Sequence, residues 1–440
     1  MNKVRSISSL TFVTIAAVVM GGDYIVSLLF PGLGVMLSLN KVLFLGIFIY
    51  DFLAYPSKYS LGSPIYIVCF LILLACIPFL GFVEANATGI RGAFDEVLGL
   101  LGTFAYMVFF YVNCRNTRTA SRISVVLVLC SLFIVAYLLG IVLGLTGEVA
   151  VAWRGSVKFT RASGDFDPNI VMNYIIPLFA FGPLLALYSR AFSGSWKGII
   201  ALAIIILGVY VVLQLNSRSG TIVMGSTLII SLMFRLLLTP KWRLFSRIYA
   251  VCFVALLVSG ILFLQSKYGI FDTIVSIYGE TDLETDTSFA IRLQAYHYLE
   301  NELLGPHIPP VFGDMEGYSK FWNITGVSCN PHCSLVDIYI KGGLIYLCIY
   351  IYLLVSSMVH CFMRTIRGEN VRTKVIFAGF FAYLVGFSLM MMTLSIESTK
   401  MSWGIIGCAL GLTAQAQIDA LAMKRRAVTT EKKDVTQCPG

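Results

Sequence analysis

Residues 198–238 read GIIALAIIILGVYVVLQLNSRSGTIVMGSTLIISLMFRLLL. Two apolar runs, 198–215 and 219–238, flank the polar hinge Asn216-Ser217-Arg218-Ser219-Gly220. A helix crosses about 30 Å of hydrocarbon with roughly 20 apolar residues, and it bonds its own backbone polar groups while doing so. The pair therefore reads as two membrane helices joined by a short turn. Runs of the same kind recur at 8–30, 38–55, 64–83, 96–113, 123–145, 169–189, 248–266, 334–360, 375–395 and 401–421. The expectation is an all-α integral membrane protein of about 12 transmembrane helices. Composition agrees: the chain is 58% hydrophobic and 12% charged, with mean hydropathy +0.84, whereas soluble domains are about a quarter charged. Lys41 and Asp51 shorten the apolar run of the second helix.

Cations alternate between the two sides. Lys3, Lys58, Arg115, Arg118, Arg122, Lys197, Arg243, Arg364, Arg367, Arg372 and Lys424 with their neighbours hold roughly two-thirds of the Lys and Arg. The positive-inside rule puts them in the cytoplasm, so both termini are expected there and the net charge of +9 calls for no nucleic acid. The first apolar run is long and lacks a small-x-small exit site, so it reads as a first membrane helix. Residues 1–421 form one polytopic domain, and 422–440 are expected to be a disordered cytoplasmic tail. Residues 267–332 make a long outer loop, with helical composition over Ser288–Leu304 and a stop at Gly305-Pro306. Its many aromatics suit either sugar stacking or the membrane interface.

Several outer residues are candidates for chemistry. Arg218 faces outward against the charge bias, so it either binds a phosphate of a lipid-linked substrate, flanked by Ser217 and Ser219, or snorkels to headgroups. Arg292, with Tyr296 one turn on, is either a second phosphate clamp or a solvated helix charge. Arg154, Lys158 and Arg161 share a face if their segment is helical, and would attract an anionic substrate or touch headgroups. His332 precedes the helix at 334–360 at its outer mouth, where an imidazole titrating near about 6.5 exchanges protons with a hydroxyl, or else serves as an interface residue. Asp337 and Lys341, at i and i+4, read as a structural ion pair. Cys329 and Cys333 are close enough in sequence for a small disulfide. The acidic run Glu280 to Asp286 lacks the central Gly of an EF-hand, and no metal site or cofactor is expected.

The segment His332–Tyr346 (HCSLVDIYIKGGLIY) resembles the bacterial O-antigen ligase and O-antigen polymerase superfamily. The family pattern of His, an Asn, Ser or Gln, nine residues, Gly, two residues and Gly, Thr or Tyr is matched at His332, Gly343 and Tyr346, with Cys333 departing from it. Ser217-Arg218-Ser219 is similar to the family's Ser-Arg-Ser, and Arg292 in IRLQAY followed by Leu304-Gly305 to its Arg-Leu-x-x-Trp helix, with Tyr296 near the Trp position. The resemblance covers about 200–360 and implies a GT-C-like, metal-independent membrane glycosyltransferase. Its donor would be undecaprenyl-diphosphate-linked glycan at the periplasmic face of the inner membrane. Arg218 and Arg292 would hold the diphosphate and His332 would activate the acceptor hydroxyl. The acceptor is a second lipid-linked repeat for a polymerase, the narrowly favoured reading, or lipid A core for a ligase; a chain-length regulator is a candidate partner. The reading from another class is a lipid-linked-glycan flippase or other transporter, which would place ionisable residues at mid-membrane.

Overall fold

The computed structural model describes residues 2–29, 34–59, 63–143, 145, 150–153, 156–161, 164–165, 168–188, 195–215, 218–238, 287–306, 308–325, 333–368, 370–392 and 399–415. Helices follow the apolar runs: α1 Asn2–Leu29, α2 Gly34–Ala54, α3 Pro64–Asn113, α4 Thr117–Val142, α5 Pro168–Tyr188, α6 Ser195–Gln214 and α7 Arg218–Leu238. Then come α8 Thr287–Leu304, α9 Gly317–Thr325, α10 Ser334–Arg367, α11 Val371–Met391 and a last helix, α12, over 400–415. The expected span 248–266 lies outside the described residues. Among the described residues six helices are long and apolar enough to cross a membrane: Pro64–Asn86, Gly89–Asn113, Thr117–Val142, Ser219–Leu238, Ser334–Arg367 and Val371–Met391. The protein is thus a helical membrane protein in its described part.

Helix α3 holds two of the expected spans, and the chain reverses between them. Gly89 adopts φ 84° and ψ 176°, outside helical geometry. On either side of it Gly81 faces Val97, and Phe70 packs edge-on against Phe104 and Tyr111, with centroids 6.3 and 5.3 Å away. Residues at similar distances before and after Gly89 meet, so the two halves form an antiparallel hairpin.

Helix α11 is the axis of the bundle. Its apolar window is 72% buried, against 33–44% for the other five membrane-length helices, so it contacts protein nearly all round. It packs against α4, α5, α7 and α10. Small residues allow the approach, since lipid offers no hydrophobic drive and close packing has to supply the contact energy: Phe181 lies over Gly379 and Thr227 over Gly386. In α12, Gly407 and Gly411 rest on the backbone carbonyls of Met107 and Tyr111 in α3.

The charge that shortens α2 is resolved by packing. Asp51 is 1% exposed and accepts from Lys58 Nζ at 3.1 Å, Tyr59 OH at 2.9 Å and Asn113 Nδ2 at 3.0 Å. A buried carboxylate is tolerated when paired and hydrogen-bonded in this way.

Segments 150–153 and 156–161 correct one expectation. They form antiparallel strands, β1 Ala150–Trp153 and β2 Ser156–Arg161, with Val151 opposite Lys158, and β2 pairs onward with β3 Gly164–Asp165. Lys158 and Arg161 lie in β2, so the condition of a helical segment is not met there. Arg154 lies outside the described residues. Gly155 disfavours a helix, while the alternation Val157-Lys158-Phe159 suits a strand.

Candidate functional site

The site is built around a break in α10. At Gly343 the backbone turns to φ 69° and ψ −168°, which interrupts the helical hydrogen-bond ladder. The orphaned groups are taken up by the loop after α8: Asp314 N donates to Ile340 O at 2.8 Å, Leu344 N to Pro310 O at 3.0 Å and Ile345 N to Val311 O at 3.3 Å. Backbone polar groups at such a depth have to find partners, so the loop is part of the helix's own bonding. The fit is tight: a Cβ on Gly343 would lie 2.5 Å from Gly313 N and 2.6 Å from Val311 O. Phe312 stacks on Phe79 at 5.1 Å, and Asn86 Nδ2 donates to Met315 O at 2.7 Å. These contacts tie the loop to the tip of the α3 hairpin.

Charges gather on the short half of α10 that precedes the break. Asp337 is fully buried in the first turn, where the helix dipole favours an anion. Its Oδ1 accepts from Tyr318 OH of α9, and its Oδ2 lies 3.0 Å from Lys341 Nζ. The same ammonium reaches Glu96 Oε1 at 2.9 Å, 245 residues away in sequence. The expected Asp337–Lys341 pair is therefore present, and Glu96 and Tyr318 complete it. Burial first, and then the charge of Asp337, push the Tyr318 phenol far above its ordinary value, so it remains a donor. A second set lies beside it: Tyr339 OH donates to Glu302 Oε2 at 3.3 Å, and Lys320 Nζ lies 2.6 Å from Asp314 Oδ2. The hydrogen bond to Asp314 raises the Lys320 pKa. Together these bonds lock α8, α9 and the loop onto the first half of α10.

The expected site residues take the following places. Arg218 is the first residue of α7, and Ser219 follows it, buried; Ser217 lies outside the described residues. Arg292 lies in α8, one turn before Tyr296, whose OH donates to Met392 O at the end of α11. His332 and Cys329 lie outside the described residues, so the disulfide does too. The N-cap of α10 is Cys333, buried, and His332 is the residue before it in sequence.

Helix register brings the three motif-bearing segments to one end of the bundle. Phe234 of α7 packs on Phe362 of α10 and Phe381 of α11, with centroids 6.3 and 5.7 Å away. From that shared level α7 leads back to Arg218, α10 back to the break at Gly343, and α11 forward to Met392, where α8 docks. At 1.5 Å per residue each path runs about 16–29 Å in the same direction. Glu96, Tyr318 and Gly313 were not singled out from sequence. An acid in an apolar run signals Glu96, but nothing local signals the other two, whose partners lie on separate elements. Comparison with protein-family models and with curated proteins finds no match to this chain.

Removing the phenol tests the network. A neutral Tyr318 in the fold and an ordinary one in the unfolded chain mean that the unfolded state releases a proton first, above about pH 10. Stability contributed by Tyr318 is fully present below that pH and declines above it. Tyr318→Phe is expected to lower stability at pH 7 by about 1–3 kcal/mol, because Asp337 loses a donor. The deficit relative to wild type should narrow above about pH 10, as followed by thermal denaturation in detergent. An equal deficit at every pH would show that the phenol's proton is not involved.

Proposed function

We propose that this chain is a membrane glycosyltransferase that moves glycan from undecaprenyl diphosphate to an acceptor sugar hydroxyl at the periplasmic face. In this reading it polymerises the repeat units of a surface polysaccharide. The observation that carries the reading is the convergence of the start of α7, the Arg292 turn of α8 and the start of α10 at one end of the bundle. A GT-C-like arrangement with about 12 spans, both termini in the cytoplasm and the site at the periplasmic side of the inner membrane belong to the same reading.

In this mechanism Arg218 and Arg292 clamp the diphosphate, since a guanidinium fork matches phosphate oxygens bidentately. They neutralise the charge that develops as the C1–O bond to undecaprenyl diphosphate breaks. His332 takes the proton of the acceptor hydroxyl as its oxygen attacks the anomeric carbon. The Asp337–Lys341–Glu96 network and the loop in the Gly343 break hold the first half of α10 still, and so position the residue ahead of its cap. The placement of buried acids favours group transfer over transport. Among the described residues, Asp51, Glu302, Asp314 and Asp337 lie near helix ends or in a loop, whereas transporters concentrate ionisable groups at mid-membrane.

Deleting the gene and restoring it on a plasmid tests the reading. Surface glycan is expected to fall to single repeats on lipid A core and to recover with the plasmid. Full chains stranded on undecaprenyl diphosphate would instead make the protein a ligase, and unchanged surface glycan would remove both assignments.

A further inference from the structure

At the opposite end of the bundle from Asp337 lies a cavity of about 720 Å³. Leu10 and Val13 of α1 and Val112 of α3 give it an apolar side. Lys58, in the 3-10 turn after α2, and Arg115, Arg118 and Arg122 around the start of α4 give it four cations, and among the described residues no acidic side chain lines it. The carboxylate behind its wall is Asp51, buried and already holding Lys58, Tyr59 and Asn113. Among the described lining residues cations outnumber acids, with Arg118 and Arg122 both exposed, so the cavity is positive.

The start of α4 adds to this. Asn116 Oδ1 accepts from Thr119 N at 2.8 Å, and the first turn carries Arg118 and no acid. A helix N-terminus favours anions and disfavours cations, so with Arg118 in the first turn of α4 and Arg122 just beyond it, an anion placed there is favourable. Holding cations on one side to orient the chain needs neither a cavity nor an apolar wall. The apolar stretch of α1, Leu10–Gly22, begins at the cavity, which puts the cations where headgroups meet hydrocarbon. A soluble phosphate would use the cations alone; a lipid uses both sides.

We infer that this cavity binds the phosphate of an anionic lipid headgroup, with the start of the acyl chains against Leu10, Val13 and Val112. The positive-inside rule assigns this face to the cytoplasmic leaflet, whose anionic lipids attract basic pockets between helices. The site is independent of the glycosyltransferase reading.

The test uses the full chain in nanodiscs of phosphatidylcholine alone or with phosphatidylglycerol, with lipid retention read by native mass spectrometry. Wild type is expected to retain one phosphatidylglycerol per chain in preference to phosphatidylcholine. Arg118→Gln with Arg122→Gln is expected to weaken that retention by about tenfold or more, because charge-assisted bonds to phosphate are lost. Arg122→Gln alone, at an exposed position, should show a smaller loss and guards against misfolding of the double variant. Arg364→Gln with Arg367→Gln, the same charge change at the same end of the bundle, should leave retention unchanged. Equal retention of the two lipids, or the same loss in both double variants, would overturn the assignment. A thermal shift with inorganic phosphate in phosphatidylcholine discs, without one for phosphatidylglycerol, would make the ligand a soluble phosphate and overturn the lipid.

Discussion

Replacing His332 with Ala is expected to lower glycan transfer by about 10²–10⁴-fold while the protein still inserts and accumulates in the membrane. In sequence the residue directly precedes Cys333, the buried cap of α10. In the proposed mechanism the loss is expected to fall on kcat, because there the base would act on the acceptor proton as the new glycosidic bond forms while Arg218 and Arg292 would hold the donor. His332→Gln separates two roles. A side chain that only orients the hydroxyl through a hydrogen bond is replaced in part by Gln, whereas a base is not. Transfer as low in the Gln variant as in the Ala variant, with a wild-type rate that declines at acid pH as the imidazole takes up a proton, supports the base. Full activity in the Ala variant would remove the mechanism. Measurement is by transfer from a lipid-linked repeat in reconstituted vesicles, with protein amount normalised.

Gly343→Ala is expected to disable the same site by a different route. The backbone at φ 69° and ψ −168° lies in a region that essentially only Gly occupies, and a side chain there costs about 1–3 kcal/mol. The added Cβ would also lie 2.5 Å from Gly313 N and 2.6 Å from Val311 O, which are backbone atoms that cannot rotate away. The loop would have to leave the break, and the three bonds from Asp314 N, Leu344 N and Ile345 N would go with it. At about 0.5–1.5 kcal/mol each, their loss adds to the strain. The expected results are near-complete loss of transfer and a clear drop in thermal stability. Two other glycines separate the causes. Gly89→Ala has φ 84° but nothing within 4 Å of the new Cβ, so it carries backbone strain alone. Gly225→Ala, inside α7 with open space and no strained φ, should be neutral or slightly stabilising. If Gly343→Ala behaved like Gly225→Ala, the loop would not be seated in the break during function.

The place of Gly343 shows how far a sequence reading reaches. Its distance from His332 marked it as part of a motif, but its physical task is to let a separate loop bond into a helix, and that loop carries no local sign of it. Glu96 and Lys341 are alike in this: each is an awkward charge in an apolar setting, and only the folded chain makes one the partner of the other. The segment 150–161 shows the opposite difficulty. Its cation spacing would suit a helical face, whereas the alternation Val157-Lys158-Phe159 suits a strand, and spacing alone does not decide between them.

The sequence by itself determined that the chain is a helical membrane protein and where most of its described helices run. A long apolar run in hydrocarbon has almost one way to satisfy its backbone, and cations resist crossing. The tertiary structure decided which helix is the axis, how Asp51 and Asp337 are made tolerable, and what fills the gap at Gly343. Those outcomes depend on groups far apart in the chain meeting where water is absent, and an unpaired charge or open backbone bond is costly enough there to fix the packing.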